Sequence, residues 1–372
     1  MGLWLALYGL VFLLAFVVSG LLCAVARAVG LRLGLMDWPS GRKAHERPVA
    51  VTGGWGIFVT FVLIVGVGTV VGGWLAERLP GHADPLRAYM SNIAGIWPRV
   101  GAVVGGAALI FAVGAVDDLR PLGPRLKLAA QVIGALALLP AGIAIKGFLP
   151  MPLGWGLTVL WIVLLTNAFN LMDNMDGLCA SVGLVICVVL ALAAWGGAEM
   201  WLPALFLCLA GALGGFLLYN FSPASMFMGD AGSMSVGYLL GVFSILITYY
   251  ERGVPSGLPI LMPVAIMGVP LFDTISVMFI RWRAGKPLMV GDRNHFSHRL
   301  LAMGFGVRAA AVTIAALTGA VGLLALALRH LGLTEAVVHV VGLVLLFGVI
   351  VALELVGRRA GGNDSRSTEG GS

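Results

Sequence analysis

LGWGLTVLWIVLLTNAFN at residues 153–170 and LCASVGLVICVVLALAAWG at residues 178–196 enclose a short polar stretch, LMDNMDG, at residues 171–177. Each flanking segment is about as long as a helix that crosses a bilayer. Asn167, Asn170, Asp173 and Asp176 follow one another at intervals of three across this junction. Ionisable groups at the edge of the hydrocarbon are costly unless they face protein, water or a ligand, so the stretch indicates a functional site.

The whole chain repeats this apolar pattern: of its 372 residues 60% are hydrophobic and 11% are charged. Such a composition predicts an all-α polytopic membrane protein. The first apolar run lacks a basic start and a small-residue cleavage site, so it is predicted to be a retained helix. We expect one integral membrane domain at 1–357 and a flexible, Gly- and Ser-rich tail at 358–372. Eleven membrane-spanning helices are predicted, near 3–25, 52–74, 99–116, 127–145, 153–170, 178–196, 201–219, 233–249, 257–281, 307–328 and 335–357.

Lys and Arg residues predict the orientation, because they accumulate in cytoplasmic loops. With eleven spans, 17 of the 23 fall on the side of the C-terminal tail. The N-terminus is therefore expected outside and the tail inside, in the inner (cytoplasmic) membrane of a bacterium. The net charge of +6 then reflects topology and anionic lipid, and does not indicate nucleic-acid binding. The four cysteines have no metal-type spacing, which favours small core residues.

Polar motifs sort to the same inner side. They occupy the predicted inside loops at 37–48, 117–127, 167–177, 220–233 and 281–299. If these loops were ordinary connectors, polar residues would be equally common in the loops on both sides of the membrane. A channel or transporter more often places ionisable residues near the bilayer midplane. The asymmetry favours a single active site that is built from cytoplasmic loops.

An acidic pair, Asp117 and Asp118, follows the third predicted span, and Lys127 follows in the same loop. Acids at a helix C-terminus oppose the helix dipole. The pair is either a solvated loop feature or a site for Mg²⁺ or phosphate, since hard divalent cations prefer carboxylate oxygen. Lys127 supplies positive charge that suits phosphate oxygens.

In the third inside loop, a spacing of three rotates each side chain by about 60° relative to the last on a straight α-helix. Asn167 and Asp176 would then face opposite ways, and they converge only if the helix tightens or ends there. Capping of the next helix is an alternative role for Asn170 and Asp173, because Asn and Asp are favoured caps.

The fourth and fifth inside loops add further candidates. Asp230 lies at the expected start of the eighth span, where it is either a helix cap or an anion-site and metal residue. Phe227 is either filler at the membrane interface or a platform for a flat base. His295 and His298 stand at i and i+3 beside arginines, which fits phosphate binding better than zinc. Asp273, inside the ninth span, has Lys127 or Arg281 as possible partners.

These motifs together resemble the polyprenyl-phosphate N-acetylhexosamine-1-phosphate transferases, in the WecA and TagO branch that is more distantly related to MraY. The resemblance covers nearly the whole chain in family order. It rests on DWPSGRKAHERPVAVTGG at 37–54, VDDLRPLGPRLKLAAQ at 116–131, NAFNLMDNMDGL at 167–178, NFSPASMFMGDAGSM at 220–234, PLFDT at 270–274 and DRNHFSHRLL at 292–301.

The resemblance also implies residue roles. Asp230 and Asp118 would bind Mg²⁺, for which Mn²⁺ could substitute, and Phe227 would stack on uracil. The residues expected to be catalytic are Asp117, Asp118, Asp176, His295 and His298. The residues expected to bind substrate are Lys43, His45, Lys127, Asn167, Asn170, Asp173, Phe227 and Arg293.

The implied reaction transfers an N-acetylhexosamine 1-phosphate, with N-acetylglucosamine as the expected sugar, from a UDP-sugar to undecaprenyl phosphate and releases UMP. It would be the first membrane step of a cell-envelope glycan pathway, in contact with membrane lipid and without nucleic acid, and a homodimer is possible. The alternatives are a phospho-N-acetylmuramoyl-pentapeptide transferase, a membrane transporter and a silent scaffold that binds lipid phosphate. Two positions depart from the family pattern: Ser297 replaces a histidine and Asn174 stands where glycine is usual.

Overall fold

The structure is a computed structural model that describes residues 2–38, 48–78, 93–146, 150–197, 199–247, 257–285 and 294–368. Within these ranges the chain is almost entirely helical. Thirteen α-helices are described: α1 Gly2–Leu33, α2 Gly53–Arg78, α3 Ile93–Leu119, α4 Pro124–Leu136, α5 Met151–Met172, α6 Leu178–Ala194, α7 Trp201–Asn220, α8 Gly229–Leu246, α9 Met262–Ile266, α10 Gly268–Arg283, α11 Phe296–Ala302, α12 Val307–Leu326 and α13 Leu333–Thr368. Short 3-10 turns lie at Leu139–Ala141, Leu258–Leu261 and Ala327–Arg329.

Helices α7 and α8 form the centre of the bundle. In each, 78% of the apolar window is buried by the rest of the protein, whereas the figure for α13 is 6%. A helix that is apolar all round and covered by others belongs to a core, and one that is apolar and uncovered faces lipid. Gly211 and Gly215 let α7 approach the backbone of α1 closely, as small residues four apart commonly do between membrane helices.

The membrane class predicted from composition is confirmed, but the count of eleven spans is not. Among the described residues, eight helices are long and apolar enough to cross a membrane, or nine if the bent pair of α9 and α10 forms one span. The other two predicted spans are shorter helices, α4 with 13 residues and α6 with 17. Every predicted span therefore coincides with helix, but not every one has the length of a crossing.

Proline and glycine explain the deviations. The predicted span at 127–145 ends early because a 3-10 turn with Pro140 follows α4, and Gly142 then adopts a left-handed conformation with φ 74°. The predicted span at 257–281 is bent by 70° between Ile266 and Gly268. Pro270 lacks the N–H that would continue the hydrogen-bond ladder through this point.

At one end of the bundle, the connecting segments are joined to one another. Residues Met36–Asp37 (β1) and Val49–Ala50 (β2) form a two-stranded antiparallel pair. Ala50 also bridges Met226, and the N–H of Phe227 donates to the carbonyl of Ala50 over 2.8 Å. The segments that follow α1 and α7 therefore meet.

Two further expectations can be compared with the structure. All four cysteines are buried and free, which confirms their prediction as small core residues. Helix α13 includes residues 358–368 of the predicted tail, and the flexibility of that tail stays a prediction.

Candidate active site

Lys127 joins two carboxylates that are 113 positions apart in the chain. Its Nζ lies 3.1 Å from Oδ2 of Asp117 and 2.9 Å from Oδ2 of Asp230. All three side chains are largely but not completely buried, so solvent still reaches them. The sequence proposed a phosphate-side lysine and two acids on separate loops, and the structure brings them into one ion-pair cluster. In partly buried surroundings such a cluster interacts more strongly than surface pairs do.

Asp118, the second acid of the pair, binds the N-terminus of α8. Its Oδ1 accepts a hydrogen bond of 2.8 Å from the N–H of Asp230, and its Oδ2 accepts one of 3.1 Å from Ala231. The alternative role for Asp230 as a side-chain cap is therefore wrong, because α8 begins without one and Asp118 satisfies its N–H groups from another helix. The lone pairs of the Asp118 carboxylate that accept no hydrogen bond here can bind a cation.

Gly229 makes this approach possible. Its φ is 72°, and a Cβ atom there would lie 2.8 Å from Oδ2 of Asp118. An L side chain is disfavoured at that φ and would also contact the carboxylate. One turn before the acidic pair, Gly114 likewise lets α3 lie against the backbone of Ala231.

Asn170 belongs to the same centre and Asn167 does not. The Nδ2 of Asn170 donates to Oδ1 of Asp230 and to Oγ of Ser233, over 3.0 Å in each case. Asn167 instead exchanges hydrogen bonds with the carboxamide of Gln131. Sequence reasoning missed Ser233 and Gln131, although the i+3 spacing of Ser233 from Asp230 was a visible signal. Substrate binding by Asn167 stays a prediction.

The polar stretch after α5 forms a turn, since the helix ends at Met172. Capping of α6 by Asn170 or Asp173 is excluded, because Gly177 is the N-cap residue and no side chain caps that end. Burial and the nearby carboxylates, first Asp230 and then Asp118, raise the pKa of Asp173 to about 8. A bound cation would oppose the part of this rise in pKa that the neighbouring carboxylates cause.

Asp176 ties the same turn to the segment after α7. Its Oδ2 accepts a hydrogen bond of 3.0 Å from the N–H of Ala224, and the N–H of the adjacent Gly177 donates to Oδ1 of Asn220 over 3.0 Å. Asp176 and Asn167 have different hydrogen-bond partners among the described residues, and the helix ends between them at Met172.

The segment that carries the histidines is held by α10. Nδ1 of His295 lies 2.8 Å from Oδ2 of Asp273, and the pair is buried. The sequence did not propose His295 as a partner of Asp273, and the pairing with Lys127 or Arg281 that it did propose stays a prediction. Ser297, between the two histidines, donates to Oδ1 of Asn174 over 2.6 Å.

Several candidates stay predictions. Lys43, His45 and Arg293 lie outside the described residues. Phe227 is half-buried and held through its backbone, and stacking on uracil is untested. His298 lies on the first turn of α11, one residue after Ser297.

The negative charge of this centre suits a divalent cation, but the protein alone supplies few ligands for one. The described residues include no group of three or more His, Cys, Asp or Glu side chains that could hold a metal ion. Mg²⁺, however, is often bound by one or two carboxylates together with substrate phosphates and water. The carboxylates of Asp230, Asp117 and Asp118 fit that mode, in which the substrate completes the site.

The fold and this centre define a polytopic membrane protein that gathers carboxylates, carboxamides and a lysine at one end of its helices. Residues 100–248, which include most of these side chains, match the model of glycosyl transferase family 4. The chain belongs to this family, and it resembles in particular the polyprenyl-phosphate N-acetylglucosamine-1-phosphate transferases within it.

Three relatives illustrate the similarity. The probable undecaprenyl-phosphate N-acetylglucosaminyl 1-phosphate transferase of Bacillus subtilis is 32% identical, over 81% of this chain and 80% of its own. The decaprenyl-phosphate N-acetylglucosaminephosphotransferase of Mycolicibacterium smegmatis is 34% identical, over 77% and 74%. The undecaprenyl-phosphate alpha-N-acetylglucosaminyl 1-phosphate transferase of Escherichia coli is 25% identical, over 83% and 82%.

Proposed function

We propose that this protein transfers N-acetylglucosamine 1-phosphate from UDP-N-acetylglucosamine to undecaprenyl phosphate and releases UMP. The observation that carries the proposal is the bridge by Lys127 between Asp117 and Asp230, beside Asp118 and Asn170. A lysine held between acids at the end of a membrane bundle suits a reaction between two phosphate groups at the membrane surface. The names of the relatives support the choice of sugar and lipid.

The reaction depends more on positioning the phosphates and neutralising their charge than on transferring a proton. A phosphate monoester has a second pKa near 6, so the lipid phosphate is already mostly ionised at pH 7. One of its oxygens attacks the phosphorus that bears the sugar, and the bond from that phosphorus to the bridging oxygen of UMP breaks. Positioning and charge neutralisation therefore dominate catalysis, as in other phosphoryl transfers.

We assign these tasks to the residues of the centre. Lys127 exchanges part of its contact with Asp117 and Asp230 for phosphate oxygens, and Asn170 keeps the Asp230 carboxylate in place. Asp118 holds the N-terminus of α8, whose dipole favours an anion. Bound Mg²⁺ would offset the repulsion between the two phosphates and the charge that develops on UMP. Asp230, with Asp117 or Asp118, would hold it.

We further propose that the centre lies at the cytoplasmic face of the bacterial inner membrane, with the N-terminus outside. The distribution of Lys and Arg supports this orientation. With the C-terminal tail inside, this orientation requires an odd number of crossings, as in the eleven predicted from sequence or in the nine apolar spans of the described residues when α9 and α10 form one span.

UMP release tests the proposal. The purified protein in detergent is supplied with undecaprenyl phosphate and Mg²⁺, and with UDP-N-acetylglucosamine, UDP-N-acetylgalactosamine or UDP-N-acetylmuramoyl-pentapeptide. We expect UMP with UDP-N-acetylglucosamine that depends on both lipid and metal, and little with Asp117→Asn. UMP from the pentapeptide donor alone would assign the chain to the muramoyl-pentapeptide reaction. No UMP from any donor would overturn the proposal in favour of a transporter or a lipid-binding scaffold.

A further inference from the structure

Asp273 is a buried carboxylate, 3% exposed, to which the proposed reaction assigns no role. Both of its oxygens are bound by the segment that begins α11. Oδ2 lies 2.8 Å from Nδ1 of His295, and Oδ1 accepts a hydrogen bond from the N–H of Phe296 over 2.6 Å. One carboxylate of α10 thus fixes both the ring of His295 and the first turn of the helix that follows it.

The contact decides which nitrogen of His295 carries a proton. A carboxylate beside Nδ1 holds the proton there, because an ionised carboxylate only accepts hydrogen bonds. Nε2 has no hydrogen bond to any residue that the structure describes. It is therefore the ring nitrogen left for a further contact, as an acceptor in the neutral ring and as a donor in the protonated one.

Two further contacts join α10 to α11. One turn after His295, Nη2 of Arg299 donates to Oγ of Ser276 over 2.9 Å. The guanidinium also lies 5.7 Å from the ring centre of Phe272. The start of α11 is thus joined to α10 by the contact between His295 and Asp273, and α11 itself by a hydrogen bond and a cation–π contact.

The same short helix is joined to the acidic centre. Ser297, two residues after His295, donates to Asn174, which is adjacent to Asp173 in the turn after α5. His295 is therefore tied on one side to α10 and, through Ser297, on the other side to the loop that lies beside Asp230. Helix α11 is thus one hydrogen bond away from the turn that carries Asp173, whose carboxylate lies near those of Asp230 and Asp118.

We propose that Asp273 is a positioning residue for the transfer reaction, which holds His295 with the proton on Nδ1 so that Nε2 contacts a phosphate oxygen of the substrates. The inference rests on the proposed function. Residues that orient a functional histidine commonly change activity by about 10- to 100-fold when they are replaced.

Kinetics of UMP release test it with Asp273→Asn, His295→Ala and the double variant. Asp273→Asn should lower kcat by about 10- to 100-fold. The double variant should be no slower than His295→Ala, because Asp273 acts through that ring. If Asp273→Asn and His295→Ala change the KM of the same substrate, either the sugar nucleotide or the lipid, that substrate carries the phosphate that His295 contacts. Ser276→Ala, which removes a neighbouring contact of the same two helices, should keep kcat within about twofold.

Two kinetic outcomes would overturn the proposal. One is a kcat of Asp273→Asn within about twofold of wild type. The other is a double variant slower than His295→Ala by the full factor that Asp273→Asn costs alone, since that would indicate a separate structural role.

Nitrogen NMR of the full-length protein, labelled with ¹⁵N-histidine and reconstituted in liposomes, gives a readout that needs no activity. The signals of His295 are those lost in His295→Ala. We expect a protonated Nδ1 in wild type and loss or exchange of that proton in Asp273→Asn. A bare Nδ1 in wild type, or identical spectra for the two proteins, would refute the positioning role. If the wild type releases no UMP, the proposed function fails while this measurement still decides about Asp273.

Discussion

Ser297 donates a hydrogen bond of 2.6 Å to Asn174, so the two positions that are expected to depart from the pattern of the resembling family contact each other. Asn174 also donates to the carbonyl of Leu171 over 2.7 Å, which orients its carboxamide oxygen toward Ser297. Ser297 is 1% exposed, and a larger side chain would have no room there unless its neighbour were smaller. The two side chains are therefore coupled by packing and by a hydrogen bond in this chain.

This contact predicts that substitutions at Ser297 and Asn174 compensate for each other. Asn174→Gly should lower activity by leaving the Ser297 hydroxyl without its acceptor, and Ser297→His should lower it by overpacking, which typically costs about 1–3 kcal/mol. The double variant should recover most of the melting temperature and UMP release lost by Ser297→His, because glycine provides the space that histidine needs. Losses in the double variant equal to the product of the single losses would show that the two sites are independent.

Removal of the bridging lysine should be severe. Lys127→Met leaves the carboxylates of Asp117 and Asp230 without their shared cation, and we expect UMP release to fall by about 100-fold or more, the scale of losing a charge-stabilising group. Arg99→Met is the control, because its ion pair with Glu199 is half-exposed and surface pairs contribute little. Equal activity of the two variants would exclude Lys127 from the site.

The close approach of Gly229 to Asp118 allows the site to be tested without removing any ionisable group. Gly229→Ala should destabilise the protein by more than about 1–2 kcal/mol and reduce UMP release, because its left-handed φ and its distance to Asp118 both oppose a Cβ atom. Gly304→Ala is matched, since Gly304 also has a positive φ, 93°, but has open space around it. Thermal unfolding in detergent compares the two. Similar losses would mean that backbone strain alone, and not displacement of Asp118, is responsible.

Because the protein supplies few metal ligands, we expect Mg²⁺ to bind firmly only together with the sugar nucleotide. The described residues contain no three-residue metal cluster, so Mg²⁺ alone at millimolar concentration should change the melting temperature little. Mg²⁺ together with UDP-N-acetylglucosamine should raise it, since the diphosphate supplies the missing oxygens. Chelation with EDTA should abolish UMP release, and Mg²⁺ or Mn²⁺ should restore it. Full turnover in EDTA would eliminate the metal from the mechanism.

The sequence by itself determined the class of the protein and most of the relevant residues. Apolar segments near 20 residues in length define membrane helices whatever their neighbours are, because the bilayer fixes the length. Isolated acids, amides and histidines between such segments are conspicuous since they are costly there. Prolines such as Pro140 and Pro270 also marked the points at which two predicted spans break, although their effect was not anticipated.

Tertiary structure alone decided which of these residues act together. Asp118 binds the start of α8 across 112 positions of sequence, Lys127 reaches Asp230 across 103, and Asp273 contacts His295, a partner that the sequence did not propose. Helical spacing describes neighbours on one helix, within about four residues. It carries no information about which loops are brought together when α3, α5, α8 and α10 pack, and at this site the partners come from different helices.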